Sequence, residues 1–501
     1  MFALLVATAA AAPLSCETAV VGGGWAGVYA AWRLVVDSAT VSPADLCLFE
    51  ARAAVGGRTY SVEVGQDDEA LTIDVGAYRF GKEQHLPGDL ILGHFGLPVS
   101  CYEPDCAADP KFNMTLYKIV DKHGRNAGYA TPIKRMVREL VDAGARLHYG
   151  HELTGIYDAP AGGAGGLQEL HFAGGALAQA RRVLLNLPRP AIGRLDPASS
   201  VFPADRRAQG WTLLRNCTPC FDPTSSASPP PGKLNVKVRA VPVGAGIRRR
   251  PSRPEPVCRR AQVYAIYDSP WWVTELGLAQ GTFNRSGADG APPLYGRYHD
   301  GPIRYSASGA PIGPAALEAV YTFSMEHPDI AYYTTFAADP ALDPLTITTD
   351  PALLRPLHAT LMSFHAAAFA AKGRNASEVA PIRRVVLGVW TTDPYSRLPP
   401  AQSSNFRAML PACPAEPCVA GLSAPTYNAA VATPDPVGAS TVHVANNDYT
   451  WTGDEGVPCC WAEQSLKSVE RTLRAQWRAP RPAWLDREYY ARLIADSASA
   501  L

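Results

Sequence analysis

The chain has 501 residues, 47% hydrophobic and 18% charged, and its 46 basic and 46 acidic side chains cancel to no formal net charge. That composition is globular, and the balance leaves no basic surface for a nucleic-acid partner. Single cores stop growing at about 250–300 residues, so two domains are expected, and 45 Pro and 42 Gly predict many loops.

Residues Met1 to Ser15 (MFALLVATAAAAPLS) form a short apolar run ending in small residues. The run has the form of a secretory signal peptide, although it lacks a Lys or Arg. A secreted or secretory-lumen protein is expected from it. The alternative is a plain N-terminal tail of a soluble intracellular protein. No other run reaches the ~20 apolar residues of a membrane span, so none is expected.

Glu17 to Val21 reads as a buried strand, Trp25 to Val36 as a helix and Leu46 to Phe49 as a second strand. Between the first two, Gly22-Gly23-Gly24-Trp25-Ala26-Gly27 satisfies the G-x-G-x-x-G spacing. Gly22 permits a tight turn, Gly24 lets backbone approach a pyrophosphate, and Gly27 allows close helix–strand packing. The helix start offers N–H groups and a partial positive charge to phosphates. Glu50, followed by Ala51, ends the second strand, where a carboxylate binds ribose hydroxyls. Together these predict a dinucleotide-binding βαβ unit; a Gly-rich helix start without a ligand is the alternative.

Thr131 to Ala143 has apolar residues at helical spacing, Pro132 in its first turn and Gly144 as a stop. Three strand candidates follow, at Arg146–Ile156, Leu167–Phe172 and Ala176–Leu187, and read as an antiparallel meander. Residues 222–256 are rich in Pro, Ser and Arg and read as a surface insertion, with Arg248-Arg249-Arg250 in a solvated loop. Helical sequence returns at Pro351–Lys372 and Trp461–Trp477. No internal repeat is visible.

Of 11 cysteines, Cys101/Cys106, Cys217/Cys220, Cys413/Cys418 and Cys459/Cys460 come as close pairs. In a secreted protein such pairs form local disulfides. Cys47 lies in an apolar strand and is expected to be a buried free thiol. Four glycosylation sequons, at Asn113, Asn216, Asn284 and Asn375, give mild support to secretion. No metal site is expected.

Gly56-Gly57-Arg58-Thr59, just past Glu50, resembles the GGR-[ST] stretch of the flavin amine oxidase superfamily, which includes monoamine, polyamine and L-amino-acid oxidases. Two glycines bring backbone beside a diphosphate, and an Arg supplies charge-assisted donors. Asp74-Val75-Gly76-Ala77-Tyr78-Arg79-Phe80 resembles the segment that runs beside the flavin ring in that family. Further matches fall in the family's order. Gly128-Tyr129 leads into the helix at Thr131, Leu153 stands where an apolar residue meets the adenine, and Leu185–Pro188 ends the meander. Val442–Thr450 occupies the ribityl segment, and Trp461-Ala462-Glu463 resembles the stretch that faces the flavin pyrimidine.

The resemblance implies an α/β fold: a Rossmann-type FAD-binding domain with an antiparallel meander, plus a mixed α+β substrate domain. The FAD domain would comprise residues 16–85, 127–190 and 381–480. The substrate domain would comprise 86–126 and 191–380, with 481–501 as a tail. The cofactor implied is FAD, held non-covalently because no cysteine matches the family's attachment motif.

The sequence departs from the family at the reactive end. The strand Gln262–Trp272 has Gln262 where the family carries a Lys that holds a water at flavin N5. A Gln still holds water by hydrogen bonds but brings no titratable amine. Asn446-Asn447-Asp448 replaces a Gly-Glu pair, leaving Asp448 to accept ribityl hydroxyls. Gln464-Ser465 replaces a Gly-Ala pair that lets backbone approach the ligand. Trp390 and Tyr449 are expected to wall the substrate cavity. The function implied is oxidation of an amine by hydride transfer to the flavin, with molecular oxygen as acceptor. Two alternatives stay open: an FAD-dependent desaturase or oxidase of a non-amine substrate, and a flavin-binding or interaction protein without activity.

Overall fold

The computed structural model describes residues 13–65, 70–109, 113–159, 166–188, 191–192, 194–201, 259–285, 294–298, 304–305, 308, 311–320, 345–391, 441–447 and 462–498. Strand β1 (Leu14–Val21) leads through the glycine loop into helix α1 (Trp25–Trp32), which continues as a π-helical turn over Arg33–Asp37. Leu14 and Ser15, placed by sequence in the leader, are strand residues here, opposite Ala178 and Gln179. Every residue of α1 is buried, because a helix apolar on all sides needs cover on all sides. Strand β2 (Leu46–Phe49) lies parallel to β1. A hairpin of β3 (Ser61–Val64) and β4 (Leu71–Asp74) follows.

Next come β5 (Phe80–Gly81), α2 (His85–Gly88) with a π-helical turn at Asp89–His94, β6 (Val99–Cys101), β7 (Ala108–Asp109) and β8 (Met114–Ile119). Leu86, Leu90, Ile91, Phe95 and Ile119 of this segment pack into the same core as α1, although the sequence reading gave 86–126 to the substrate domain. Helix α3 (Thr131–Asp142) carries Pro132 in its first turn and buries Ile133, Met136 and Leu140, as its spacing predicts.

The first expected meander strand divides in two. Strand β9 (Arg146–His148) extends the parallel sheet beside β2, and β10 (Leu153–Asp158) starts the meander with β11 (Gln168–Phe172) and β12 (Leu177–Leu185). Gly150, at φ +70°, stands between β9 and β10 in a conformation that strands do not continue through. The sheet runs β10-β11-β12-β1-β2-β9.

A second sheet is built from β13 (Arg259–Tyr267), β14 (Thr282–Arg285), β15 (Leu294–Arg297), β16 (Ala315–Val320), β17 (Leu345–Thr348) and β18 (Arg384–Thr391). Its order is β14-β15-β16-β13-β18-β17, antiparallel throughout. Sequence placed Gln262–Trp272 in one strand. The strand instead ends at Tyr267, and Trp271–Thr274 is a single helical turn, α4, entered through Pro270. Helix α5 (Pro351–Ala371), N-capped by the Asp350 side chain on Ala352 N–H at 2.9 Å, covers one face with Leu353, Leu357 and Leu361. The other face meets the β3–β4 hairpin through Tyr264, Ile266 and Val386. Gly388 of β18 permits that approach, since a Cβ there would lie 2.8 Å from the Val75 Cβ.

The chain then returns to the first sheet. Strand β19 (Val442–Val444) pairs parallel with β12. Helix α6 (Ala462–Thr472), extended by a π-helical turn at Leu473–Trp477, packs on α1, and α7 (Arg487–Ala498) follows. Residues 481–501, expected as a tail, thus supply a helix that buries Tyr489, Tyr490 and Leu493 in the first core.

Two disulfides are described. Cys101–Cys106 closes a local loop, as its spacing suggested. Cys47 corrects the sequence reading: it is not a free thiol but is bonded to Cys16 of the neighbouring strand, Cα to Cα 5.9 Å. The two cysteines stand within bridging reach, which sequence spacing alone does not show.

Candidate dinucleotide site

The glycine loop sits where β1 ends. Gly22 has φ +100°, and a Cβ on it would meet the Asn186 carbonyl at 2.3 Å. A Cβ on Gly27 would lie 1.9 Å from the Gly22 carbonyl oxygen. Both obstacles are backbone and cannot step aside, so both positions require glycine. Glu50 fastens the loop: Gly23 N–H donates to its Oε2 at 2.7 Å and Arg52 N–H to its Oε1 at 2.9 Å. Burial raises the Glu50 pKa, and the bonds from Arg52 and Gly23 oppose that rise. Each oxygen keeps acceptor capacity for a ribose hydroxyl.

The second glycine pair lies across the first. Gly56 N–H donates to the Gly23 carbonyl at 2.7 Å, and a Cβ on Gly57 would come within 3.2 Å of the Gly24 Cα. Thr59 is buried and its N–H bonds the Gly56 carbonyl, which closes the turn. Helix α1 begins here with Gly24 as N-cap, which offers no side chain, and with no acid in its first turn. The N–H groups of that turn are the natural seat for a phosphate. Of the two residues that follow, the Trp25 ring packs in the core 5.7 Å from the Tyr129 ring, and Ala26 is buried. Ala51 is half-buried beside Glu50.

A polar chain then links three strand ends. Asn186, past the end of β12, donates from Nδ2 to the Gly22 carbonyl at 3.1 Å and accepts from Asn446 Nδ2 at 2.9 Å. Arg58 Nη2 donates to Asn446 Oδ1 at 3.1 Å and Asn447 Oδ1 at 2.5 Å. The ends of β1, β2, β12 and β19 therefore converge at one edge, where open α/β sheets bind ligands. Sequence reasoning missed Asn186 and Gly23. A lone amide closing the apolar run of β12 was the available signal for Asn186.

The segment predicted to run beside the flavin is pinned from behind. Asp74 is buried and accepts from Tyr129 N–H at 2.9 Å, Asn126 Nδ2 at 3.1 Å and the Ser61 hydroxyl. Burial raises its pKa, while Lys118 and these bonds counter the rise. The Tyr264 hydroxyl donates to the Asp74 carbonyl, and Ala77 N–H donates to the Arg58 carbonyl at 2.9 Å. Gly76 and Ala77 stay partly open. Tyr78 and Arg79 belong to a cluster with Tyr102 and Arg297: Arg297 Nη1 donates to both tyrosine hydroxyls, and Arg79 lies 5.1 and 5.0 Å above the two rings. Leu153 sits in the core with Phe49 and Phe172 and is 9% exposed.

Helix α6 brings Ala462, half-buried, and Glu463, whose Oε2 accepts from Leu86 N–H at 2.8 Å and whose Oε1 accepts from the Tyr489 hydroxyl. Lower down, Glu470 accepts from the Tyr29 hydroxyl and Arg33 Nε of α1, each at 2.7 Å. Trp477 Nε1 reaches the Thr18 hydroxyl in the middle of β1 at 3.0 Å. Helices α6 and α1 therefore run in the same direction, and the first turn of α6 lies at the glycine-loop end. Of the expected reactive residues, Gln262 is placed through its backbone, opposite Gly388 and Val320, and Trp390 opposite Arg260. Asp448, Tyr449 and Trp461 lie outside the described residues.

Residues 20–86 match a family model described as an NAD(P)-binding Rossmann-like domain. The N-terminal unit is a Rossmann-like domain. Among solved structures, a redesigned cofactor-binding variant of putrescine oxidase is similar at 13% identity and TM-score 0.49, covering 94% of this chain and all of the other. Wild-type putrescine oxidase bound to putrescine is similar at 13% identity and TM-score 0.47, covering 93% of this chain and 99% of the other. No curated protein matches the chain.

Proposed function

We propose that this chain holds FAD non-covalently and oxidises an amine, with oxygen as the final acceptor. The observation that carries the reading is the double glycine cradle, with Gly56-Gly57 laid on Gly23-Gly24 and Arg58 anchored beside it. Backbone from two turns then flanks one diphosphate, and the uncapped start of α1 supplies the positive end of a helix to it. Glu50 is set to accept from the adenosine ribose. Gly76 and Ala77, pinned by Asp74 and Arg58, offer open backbone to the ring system. The choice of FAD over a nicotinamide dinucleotide, and of an amine as donor, rests on the ordered motifs at Gly22–Gly27, Gly56–Thr59 and Asp74–Phe80.

The bound flavin would supply a two-electron acceptor that no side chain can provide. The protein's share is to bind, orient and exclude water. Gln262, on the strand beside Gly388 and hence beside Val75, is the proposed holder of a water near the ring. Trp390 and Tyr449 are the proposed cavity walls, and Asp448 the proposed acceptor for ribityl hydroxyls. The two disulfides support passage through an oxidising compartment.

The test is spectroscopic. The full chain, made through a secretory route and purified, is expected to be yellow and to release FAD on denaturation. Mixed anaerobically with a panel of mono-, di- and polyamines, it is expected to bleach with at least one. A protein that neither carries nor takes up FAD overturns the cofactor reading; FAD without bleaching by any amine overturns the substrate reading.

A further inference from the structure

The loop that leaves helix α5 is closely fixed. Gly373, at φ +65°, turns the chain out of the helix, and Arg374 N–H donates back to the Phe369 carbonyl at 3.0 Å. A glycine in the left-handed region allows this closure of a helix C-terminus. Arg374 then pairs with Glu275, just past α4, at 2.7 Å. Asn375 follows as the cap of a short 3-10 turn, Ala376–Glu378, and its Oδ1 accepts from Ser377 N–H at 3.0 Å. Ala376 and Val379 pack against the second core, while Asn375, Ser377 and Glu378 are exposed.

Asn375-Ala376-Ser377 is one of the four sequons, and the turn decides what it can carry. An N-linked sugar is bonded to Nδ2 of the asparagine. A folded chain bears one where that nitrogen reaches water and is not a donor that the fold needs. At Asn375 the cap uses Oδ1, and no described residue accepts from Nδ2. There is also room: Asn375 stands on the rim of an open cleft of about 380 Å³, with Trp271, Phe369 and Val379 in its walls. The other sequons lack this arrangement among the described residues. Asn113 is exposed, but it stands at φ +50° with Thr115 half-buried in β8. The sequons of Asn216 and Asn284 run outside the described residues.

We propose that Asn375 carries an N-linked oligosaccharide, rooted at the rim of this cleft. This rests on the reading above that the chain passes through an oxidising, secretory compartment. The donor is an oligosaccharide carried on a lipid diphosphate. The bond from its anomeric carbon to the phosphate oxygen breaks, and a bond from that carbon to Nδ2 forms. The lipid diphosphate leaves, one Nδ2 proton is lost, and nothing is oxidised or reduced. The modified nitrogen keeps one N–H and Oδ1 remains an acceptor, so the cap on Ser377 survives the modification.

The experiment maps occupancy on the whole chain. The protein, with its own leader, is made in a eukaryotic secretory host. Its sugars are released by glycosidase in heavy-oxygen water, which turns each formerly glycosylated Asn into a labelled Asp that mass spectrometry locates. The peptide holding Asn375 is expected to carry the label. Ser377→Ala removes the hydroxyl but keeps the backbone N–H that bonds Asn375, so the turn stays and the label should vanish. The intact mass of that variant should fall by one oligosaccharide, and Ser377→Thr should keep the label.

An unlabelled Asn375 in the natural protein overturns the proposal, as does a label that survives in Ser377→Ala. If the chain stays in the cytosol with every sequon bare, the secretory reading fails with it; if the chain is secreted and Asn375 is bare, only this inference fails.

Discussion

The glycine-loop end and the α6 end of the crevice handle their polar groups in opposite ways. At the loop, Glu50 holds two backbone N–H groups, Asn186 joins Gly22 to Asn446, and Arg58 bridges the two C-terminal asparagines. The loop is locked by the protein itself before any ligand arrives. At α6, Glu463 is closed off while Gln464 has no partner among the described residues. The lesson is one of preorganisation: at the loop the chain's own groups satisfy one another, whereas at α6 one buried amide is left unsatisfied among the described residues.

The strongest way to break this contrast is Gly27→Val. Its Cβ would press on the Gly22 carbonyl, with no side chain able to move away. No folded protein is expected, as read by circular dichroism and gel filtration; a native-like melt would show that the loop is not locked. Glu470→Ala comes next. It takes from the buried Arg33 cation one of its two carboxylates, leaving it Asp37 and the Pro480 carbonyl, and frees the Tyr29 hydroxyl, so the cost is expected toward the lower end of the about 3–5 kcal/mol of a fully broken buried pair. Urea unfolding should show that loss; a change below about 1 kcal/mol would mean that the pair does not hold α1 to α6.

The smallest effect concerns pH. His443 of β19 is buried, and burial first, then the Arg182 charge, lowers its pKa from 6.5 to about 4. The unfolded chain therefore binds a proton between those values that the folded chain refuses. Stability is full above the unfolded value and is lost as pH falls toward about 4. From about pH 7.5 to 5 the loss attributable to this histidine is about 2 kcal/mol. His443→Phe should remove that share of the slope in unfolding measured at both pH values. An unchanged slope would show that β19, which carries Asn446 and Asn447, is not the acid-sensitive part of the crevice.

Legibility in the sequence followed the range of the signal. The βαβ unit, α3 and α5 were readable because period, Pro, Gly and cap residues all act within a few positions. Glu50 was readable because the unit fixes its place at the end of β2. Asn186 was not, because its partners lie 164 and 260 positions away and one Asn makes no pattern. The Cys16–Cys47 bond depends on which strands pair. Helix α7 was taken for a tail because Tyr489, Tyr490 and Leu493 bury only against a core assembled elsewhere. For Gln464, the resemblance marked only a side chain where the amine oxidase pattern has a glycine; its burial and isolation needed the packed helix.

Strand β12 shares one edge between two neighbours. Its first half pairs with β11, and Val183–Leu185 pairs with Val442–Val444. During synthesis, that second half must wait until the chain has grown past residue 444. Until then those three apolar residues, paired with β1 on one side, leave their other edge open, a site prone to wrong pairing. Pairings so distant in sequence form slowly. The crevice is therefore among the last parts of the molecule to close, and a chain truncated before β19 should be recognised by quality control as unfinished even with its N-terminal unit intact.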